Sequence, residues 1–138
     1  MNFTFEKQTI ECIKKLVAEN TTVAITTHYN SDGDAIGSST ALAEVLRQMG
    51  KTVKILLPND YPQFFKWMHG VDDILTLDRH PKPIRKYINE MDLLICLDIN
   101  DLSRTEDLQP LFEQAGKKSI VVDHHINLQI NADAVVSF

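Results

Sequence analysis

The chain has 138 residues and a formal net charge of −5, and 43% of its residues are hydrophobic. This is the size and composition of one ordinary globular domain. An acidic chain lacks the Lys/Arg surface on which non-specific binding of nucleic acid depends, so we expect no long duplex as a partner. Since no apolar run approaches the roughly 18 residues of a membrane span, we expect no membrane partner either.

The cysteines and the chain ends bear on location and completeness. Cys12 and Cys96 lie in separate apolar segments, which favours buried free thiols over a disulfide and a cytoplasmic location. The first residues, MNFTFEKQTIE, show no basic stretch followed by an apolar one, which predicts no signal peptide. Because the sequence stops in the apolar run AVVSF, we expect a fragment of a longer protein.

Helix-like and strand-like segments alternate along the chain. Apolar side chains recur at helical spacing in residues 6–19 and 35–49, and Gly50 follows the second segment where a helix-ending glycine belongs. Shorter helices are predicted at Tyr61–Met68, Pro83–Asn89 and Glu106–Ala115. Strands are predicted at the apolar runs Val23–Thr27, Val53–Leu57, Leu93–Leu97, Ser119–Val122 and Ala134–Phe138. We therefore expect one α/β domain over residues 1–138, in three layers, with a mainly parallel sheet of about five strands flanked by helices.

Acidic and imidazole side chains follow three of these strands. Because open α/β sheets bind ligands at the carboxyl ends of their strands, we expect the three groups to meet at one edge. So many carboxylates repel one another unless cations lie between them. Mixed oxygen and nitrogen donors suit Mn²⁺, Fe²⁺, Co²⁺ or Zn²⁺, whereas oxygen donors alone suit Mg²⁺ better. The residues are His28, Asp32 and Asp34 after the first strand, Asp98 after the third, and Asp123, His124 and His125 after the fourth.

Several of these residues have an ordinary structural interpretation when taken alone. Asp34 directly precedes the predicted helix 35–49 and would suit its N-cap. A lone Asp98 after a strand would suit a turn. Gly37 and Ser38 could serve close helix packing or, at the helix N-terminus, an anion. Only the occurrence of all three groups at strand ends indicates a functional site.

The spacing His28-x3-Asp32-x-Asp34-x2-Gly37-Ser38, the isolated Asp98 and the triplet Asp123-His124-His125 resemble the DHH phosphoesterase superfamily. The resemblance runs from about residue 20 to residue 126. The order and spacing look most like the branch of oligoribonucleases and 3′-phosphoadenosine 5′-phosphate (pAp) phosphatases. A departure is Ser31, which stands where the family commonly has proline. The resemblance implies an N-terminal catalytic domain without its C-terminal substrate-binding domain and without one later metal-binding aspartate.

The resemblance also implies roles for the motif residues. One divalent ion would be bound by His28 and Asp32 and a second by Asp34 and His124, while Asp98 would bridge them. Mn²⁺ is expected first, with Mg²⁺ or Co²⁺ as alternatives. A metal-bridging hydroxide would attack the phosphorus. For the other two residues of the triplet the resemblance implies catalytic roles: His125 would face the substrate phosphate, and Asp123 would sit close by as an orienting group.

The expected activity is two-metal-dependent hydrolysis of short oligoribonucleotides, of pAp, or of both. Two alternatives stay open: a pyrophosphatase or exopolyphosphatase using the same site, and a non-catalytic regulatory module that binds metal or nucleotide. Ser38 and Arg104 are the candidates for substrate binding, although an ion pair of Arg104 with Glu106 or Asp107 is favoured. We expect weak or absent activity from the chain alone, and a homodimer is compatible with the sequence.

Overall fold

The computed structural model describes residues 5–138. Residues 1–4, which belong to the segment for which no signal peptide is predicted, lie outside the described part. Four helices cover a six-stranded sheet: α1 (Lys7–Glu19), α2 (Gly33–Gln48), α3 (Pro81–Glu90) and α4 (Gln109–Ala115). The strands are β1 (Thr22–Thr26), β2 (Thr52–Leu57), β3 (Leu75–Thr76), β4 (Leu93–Leu97), β5 (Lys118–Asp123) and β6 (Ala134–Ser137).

The sheet has the strand order β3-β2-β1-β4-β5-β6, and every neighbouring pair is parallel. The chain leaves β1 towards β2 and β3 on one side and returns through α3 to β4 on the other side. The connections after β1 and β4 therefore diverge, which creates the kind of switch point where α/β sheets bind ligands. The predicted α/β class is confirmed, with six parallel strands rather than about five. The unpredicted strand, β3, has only two residues, too few to show an apolar run in the sequence.

The sheet is buried on both faces. One face packs against α1 and α2 through side chains such as Ile25 and Ile95, and the other packs against α3 and α4 through side chains such as Ala24 and Cys96. All five residues of β4 are buried, which is why its sequence is an unbroken apolar run. Both cysteines are free thiols as predicted, but only Cys96 is fully buried.

Helix α2 begins two residues before the predicted boundary. Its N-cap is Asp32, whose side chain accepts a hydrogen bond from the Ala35 N–H at 3.0 Å. The capping interpretation of Asp34 is therefore wrong, and Asp34 lies in the first turn instead. The predicted end is confirmed, since Gly50 directly follows the C-cap and has a left-handed φ of 85°.

The shorter helices differ more from the prediction. Helix α3 includes Pro81, because a proline is well accommodated in a first turn. The helix predicted at Tyr61–Met68 is wrong, because the structure has only a 3-10 turn at Gln63–Phe65. The helix predicted from Glu106 begins only at Gln109, after a break at Glu106, where φ is 49° and ψ is −122°. None of the helices within residues 5–138 combines the length and the apolar character needed to cross a membrane.

Candidate metal centre at the carboxyl edge of the sheet

The loop after β1 presents a buried imidazole to two carboxylates. The Nδ1 atom of His28 lies 2.8 Å from the Tyr29 carbonyl oxygen. Because a carbonyl can only accept, Nδ1 donates the ring proton and leaves a lone pair on Nε2. This Nε2 lies 3.8 Å from Asp32 Oδ1 and 3.6 Å from Asp98 Oδ2. A lone pair facing two carboxylates requires a cation or a proton between them, so these donors fit a divalent ion.

Asp32 is both a helix cap and a member of this group. The Ala35 N–H bonded to its carboxylate lowers its pKa below the usual value, and the nearby His28 also lowers it. The Asp32 carboxylate is therefore charged at neutral pH. Since the helix N-terminus also stabilises an anion, the start of α2 keeps a charged ligand in place.

Asp98 occupies the switch point itself. Its N–H donates to the Val122 carbonyl at 3.0 Å, which extends the β4–β5 ladder by one residue. Its side chain is almost fully buried, and its backbone is left-handed with φ of 58°. The carboxylate belongs to two groups of potential metal ligands, in each of which the ligand atoms lie within 4.8 Å of one another. The first group is Asp98 with His28 and Asp32, and the second is Asp98 with His124 and His125.

The triplet after β5 completes the second group. His124 Nε2 lies 2.8 Å from Asp98 Oδ1. Asp123, which is 1% exposed, places Oδ1 at 2.6 Å from His125 Nδ1 and accepts the His125 backbone N–H at its other oxygen, at 3.1 Å. Both oxygens of Asp123 are thus engaged by His125. Such a carboxylate fixes the orientation and the protonated nitrogen of the ring.

The structure does not bring Asp34 into either group. Its side chain is exposed and lines the adjacent cleft, and the second group within residues 5–138 contains His125 in its place. The sequence did not predict this inclusion of His125. A signal was available in the triplet itself, because two consecutive histidines after a strand can both reach the same edge when a turn follows immediately.

The two residues predicted to bind substrate have other contacts. Ser38 lines the cleft, but its hydroxyl donates to the Asp34 carbonyl at 2.7 Å and so is not directed at a ligand. Arg104 is absent from the cleft lining, and no ion pair within the described residues joins it to Glu106 or Asp107. Its carbonyl accepts the Tyr29 N–H at 2.7 Å, which ties the loop of His28 to the segment after β4.

A cleft of about 520 Å³ lies between the start of α2 and the ends of β4 and β5. This volume is within the ordinary range of small-molecule sites, roughly 300–1,000 Å³. The apolar side chains of Leu97, Val122 and Phe138 form part of its wall. Gly33 and Gly37 also line it, and a Cβ on either would meet nothing closer than 3.8 Å. Tight packing within the chain therefore does not require these glycines.

Two asparagines near the site were not predicted from the sequence to have a functional role. Asn59 hydrogen-bonds to the loop after β1, and Asn100 hydrogen-bonds to the loop after β5. Asn59 follows the end of β2, so the rule that polar residues at strand ends converge would have identified it as a neighbour of the site.

A parallel α/β sheet with two His/Asp groups that share one carboxylate at its switch point defines a domain suited to hold divalent cations beside a ligand cleft. Comparison with known families gives the narrower assignment, since the model of the DHH family, N-terminal domain, matches residues 22–138. The chain belongs to the DHH family and contains its N-terminal domain. The resemblance seen in the motifs is confirmed at this level, and the branch within the family stays a prediction.

The chain is also similar to solved structures. An exopolyphosphatase-related protein from Bacteroides fragilis matches with a TM-score of 0.95 and 32% identity over 99% of this chain and 40% of that chain. RecJ from Thermus thermophilus, in complex with Mn²⁺, gives a TM-score of 0.47 and 20% identity over 95% of this chain and 16% of that chain. An alpha-glucosyltransferase in complex with UDP and a 13-mer DNA gives a TM-score of 0.55 and 15% identity over 83% of this chain and 37% of that chain. That match is a likeness of fold alone. This chain spans 40% of the length of the Bacteroides fragilis protein.

Proposed function

We propose that this domain supplies the metal site of a phosphoester hydrolase that uses two divalent ions. The observation that carries the proposal is the Asp98 carboxylate, which is common to both groups of potential ligands. Two ions held about 4 Å apart are a recurring arrangement in phosphatases and nucleases. When bound, such ions lower the pKa of water and neutralise the charge of a phosphate group.

The contacts support a ligand assignment for each ion. His28, Asp32 and Asp98 would hold one ion. Asp98 and His124 would hold the other, with Asp34 as the further ligand that the family resemblance implies. His125 lies nearby, but the nitrogen that lies 3.9 Å from Asp98 Oδ1 is the Nδ1 that is bonded to Asp123. Mn²⁺ suits both groups because each combines imidazole with carboxylate, and Mg²⁺ or Co²⁺ would be the alternatives.

Other side chains would act on the substrate's surroundings. Asp123 holds the His125 ring, so the proton stays on Nδ1 and Nε2 remains free to face the site. The apolar wall of Leu97, Val122 and Phe138 would exclude water from part of the cleft. A water-poor cleft strengthens every charge interaction made inside it.

The cleft supports a small nucleotide or a short oligoribonucleotide as the substrate, including pAp. Its apolar wall offers contact area to a nucleoside, which a chain of phosphates does not need. The net charge of −5 disfavours a long nucleic acid. A second candidate is inorganic polyphosphate, which the description of the Bacteroides fragilis relative as exopolyphosphatase-related favours.

Metal stoichiometry tests the proposal first. We expect the chain to bind two Mn²⁺ ions, measured by isothermal titration calorimetry and by elemental analysis after gel filtration. Removal of the ions with EDTA should abolish binding of phosphorylated ligands. A chain that binds at most one ion would contradict the two-ion proposal.

Ligand competition and turnover test the substrate class. With Mn²⁺ bound, pAp and a dinucleotide should bind more tightly than tripolyphosphate and should be hydrolysed faster by the full-length protein. Preference for tripolyphosphate would favour the second candidate. Two bound ions without hydrolysis of any of these compounds by the full-length protein would instead indicate a binding module.

A further inference from the structure

Asparagine side chains join the loops at the carboxyl edge of the sheet. The Asn30 N–H donates to Asn59 Oδ1 at 2.9 Å, and Asn59 Nδ2 donates to Asn30 Oδ1 at 2.9 Å. On the other side of the site, Asn100 Nδ2 donates to the Ile126 carbonyl at 3.1 Å. The Asn100 carbonyl also accepts the Gln129 N–H at 2.6 Å. The loops after β1 and β2, and those after β4 and β5, are thereby joined in pairs.

The first pair fixes the segment between two potential ligands. Asn30 lies midway between His28 and Asp32 and has a left-handed φ of 54°. A left-handed residue reverses the local direction of the chain, so its conformation decides where both neighbours point. Asn59 holds this residue through two hydrogen bonds, one to its backbone and one to its side chain.

The second pair connects the shared carboxylate with the imidazoles. Asn100 follows Asp98 by two residues, and its partner Ile126 directly follows His125. A change in this contact would alter the distance between the loop of Asp98 and the loop of the triplet.

We propose that Asn59 and Asn100 are positioning residues, each for a different group of metal ligands. Asn59 positions His28 and Asp32, and Asn100 positions His124 and His125. Neither asparagine touches a ligand atom in the described contacts, so each acts through its loop. The inference rests on the metal binding in the proposed function. It adds that each of the two loop contacts positions a different group of potential ligands. Small displacements matter because a metal site tolerates errors of only about 0.5 Å in its ligands.

The experiment separates the two groups before testing the asparagines. His124→Gln leaves the group of His28 intact, and His28→Gln leaves the group of His124 intact. Asn59→Ala and Asn100→Ala are then each introduced into both backgrounds, and Mn²⁺ affinity is measured by calorimetry and by electron paramagnetic resonance of the bound ion. Thermal melts of every variant without metal report folding independently.

The expected result is selective. Asn59→Ala should weaken Mn²⁺ binding by about 10-fold in the His124→Gln background, a size typical of a residue outside the ligand shell, and by much less in the His28→Gln background. Asn100→Ala should show the reverse. Asn59→Ser and Asn100→Ser, which are milder, should give the same selectivity and serve where an alanine variant does not fold.

A matched control lies at the opposite edge of the sheet. Asn20 Nδ2 donates to the Leu16 carbonyl at 2.7 Å at the end of α1. Asn20→Ala should lower the melting temperature without changing either affinity. Equal losses in both backgrounds, or no loss in either, would overturn the assignment of Asn59 and Asn100. Failure of the unaltered chain to bind Mn²⁺ would instead contradict the proposed function.

Discussion

Asp98 has a strained backbone and is common to both groups of potential metal ligands. A left-handed backbone costs an L-residue about 1–2 kcal/mol, although Asn and Asp tolerate it better than other side chains. The same residue has φ of 58° and belongs to both groups of potential ligands. Such strain persists only where the surrounding structure enforces it, as the hydrogen bond from its N–H to the Val122 carbonyl does here.

Substitutions of Asp98 should separate strain from charge. Asp98→Asn retains the size and the tolerance for a left-handed backbone, so we expect near-normal stability with loss of both ions. Asp98→Ala should lose both ions and, in addition, about 1 kcal/mol of unfolding free energy. Denaturant unfolding and Mn²⁺ titration measure the two effects.

The matched control for Asp98 is an exposed aspartate at the same cleft. Asp34→Asn should retain more Mn²⁺ binding than Asp98→Asn, because Asp34 lies outside both groups. If Asp98→Asn retained one ion at the affinity of the unaltered chain, the shared role would be excluded.

At the scale of elements, the non-glycine residues with left-handed backbones lie in the loops at one edge of the sheet. Asn30 follows β1, Asp98 and Glu106 follow β4, and Asn127 follows β5. At the opposite edge, the left-handed residue that ends α2 is Gly50, which carries no such cost. Conformational cost within the described chain is thus concentrated near the candidate site.

Glu106 offers a test of this cost away from the ligands. It is exposed, with φ of 49° and ψ of −122°, a conformation that glycine adopts easily. Glu106→Gly should therefore raise the unfolding free energy by about 1 kcal/mol. The same exchange inside α4, Glu113→Gly, should lower it by about 1 kcal/mol. Urea unfolding measures both, and a loss of stability in Glu106→Gly would show that the backbone is not strained there.

The elements also show where sequence patterns succeed. Apolar periodicity located α1 and α2, because each buries one stripe of side chains. It failed after β4, because the backbone at Glu106 is not helical and Pro110 favours a helix that begins beside it. At the site, the strand-end rule identified the three loops whose side chains meet at the carboxyl edge of the sheet. It could not place Asp34, since that depends on whether α2 begins before or after it.

At the scale of the whole molecule, the topology was only partly predictable. Unbroken apolar strands indicated a parallel sheet, but they do not say which strands are neighbours. The central position of β1, with β2 on one side and β4 on the other, is a property of the fold that brings the loop of His28 beside Asp98. The Asn30–Asn59 contact likewise joins residues distant in sequence.

Burial on the face covered by α3 and α4 should lower the stability of the fold at alkaline pH. Burial raises the pKa of Cys96 from 9.0 to about 12 and that of Tyr87 from 10.0 to about 12. Between these values the unfolded chain has released protons that the folded chain keeps, so unfolding is favoured as pH rises. The contribution of both groups is complete below about pH 9 and is lost progressively towards pH 12.

We therefore expect the unfolding free energy to decline between about pH 9 and pH 11, measured by denaturant unfolding at constant ionic strength. Tyr87→Phe combined with Cys96→Ala should flatten the decline. Tyr87→Phe alone should also cost about 1 kcal/mol at neutral pH, because the Tyr87 hydroxyl donates to the Val23 carbonyl at 2.7 Å. An unchanged slope in the double variant would assign the decline to other groups.

The parallel sheet separates two regions with different tolerance to change. Both ligand groups lie where the strands end, while the turns at Gly50 and Gly116 lie where β2 and β5 begin, five or six residues away along each strand. At about 3.3 Å per residue, roughly 17–20 Å of buried sheet lies between the two edges. Those turns are therefore suitable places for a fluorescent label or an affinity tag, because an attachment there lies far from the potential metal ligands.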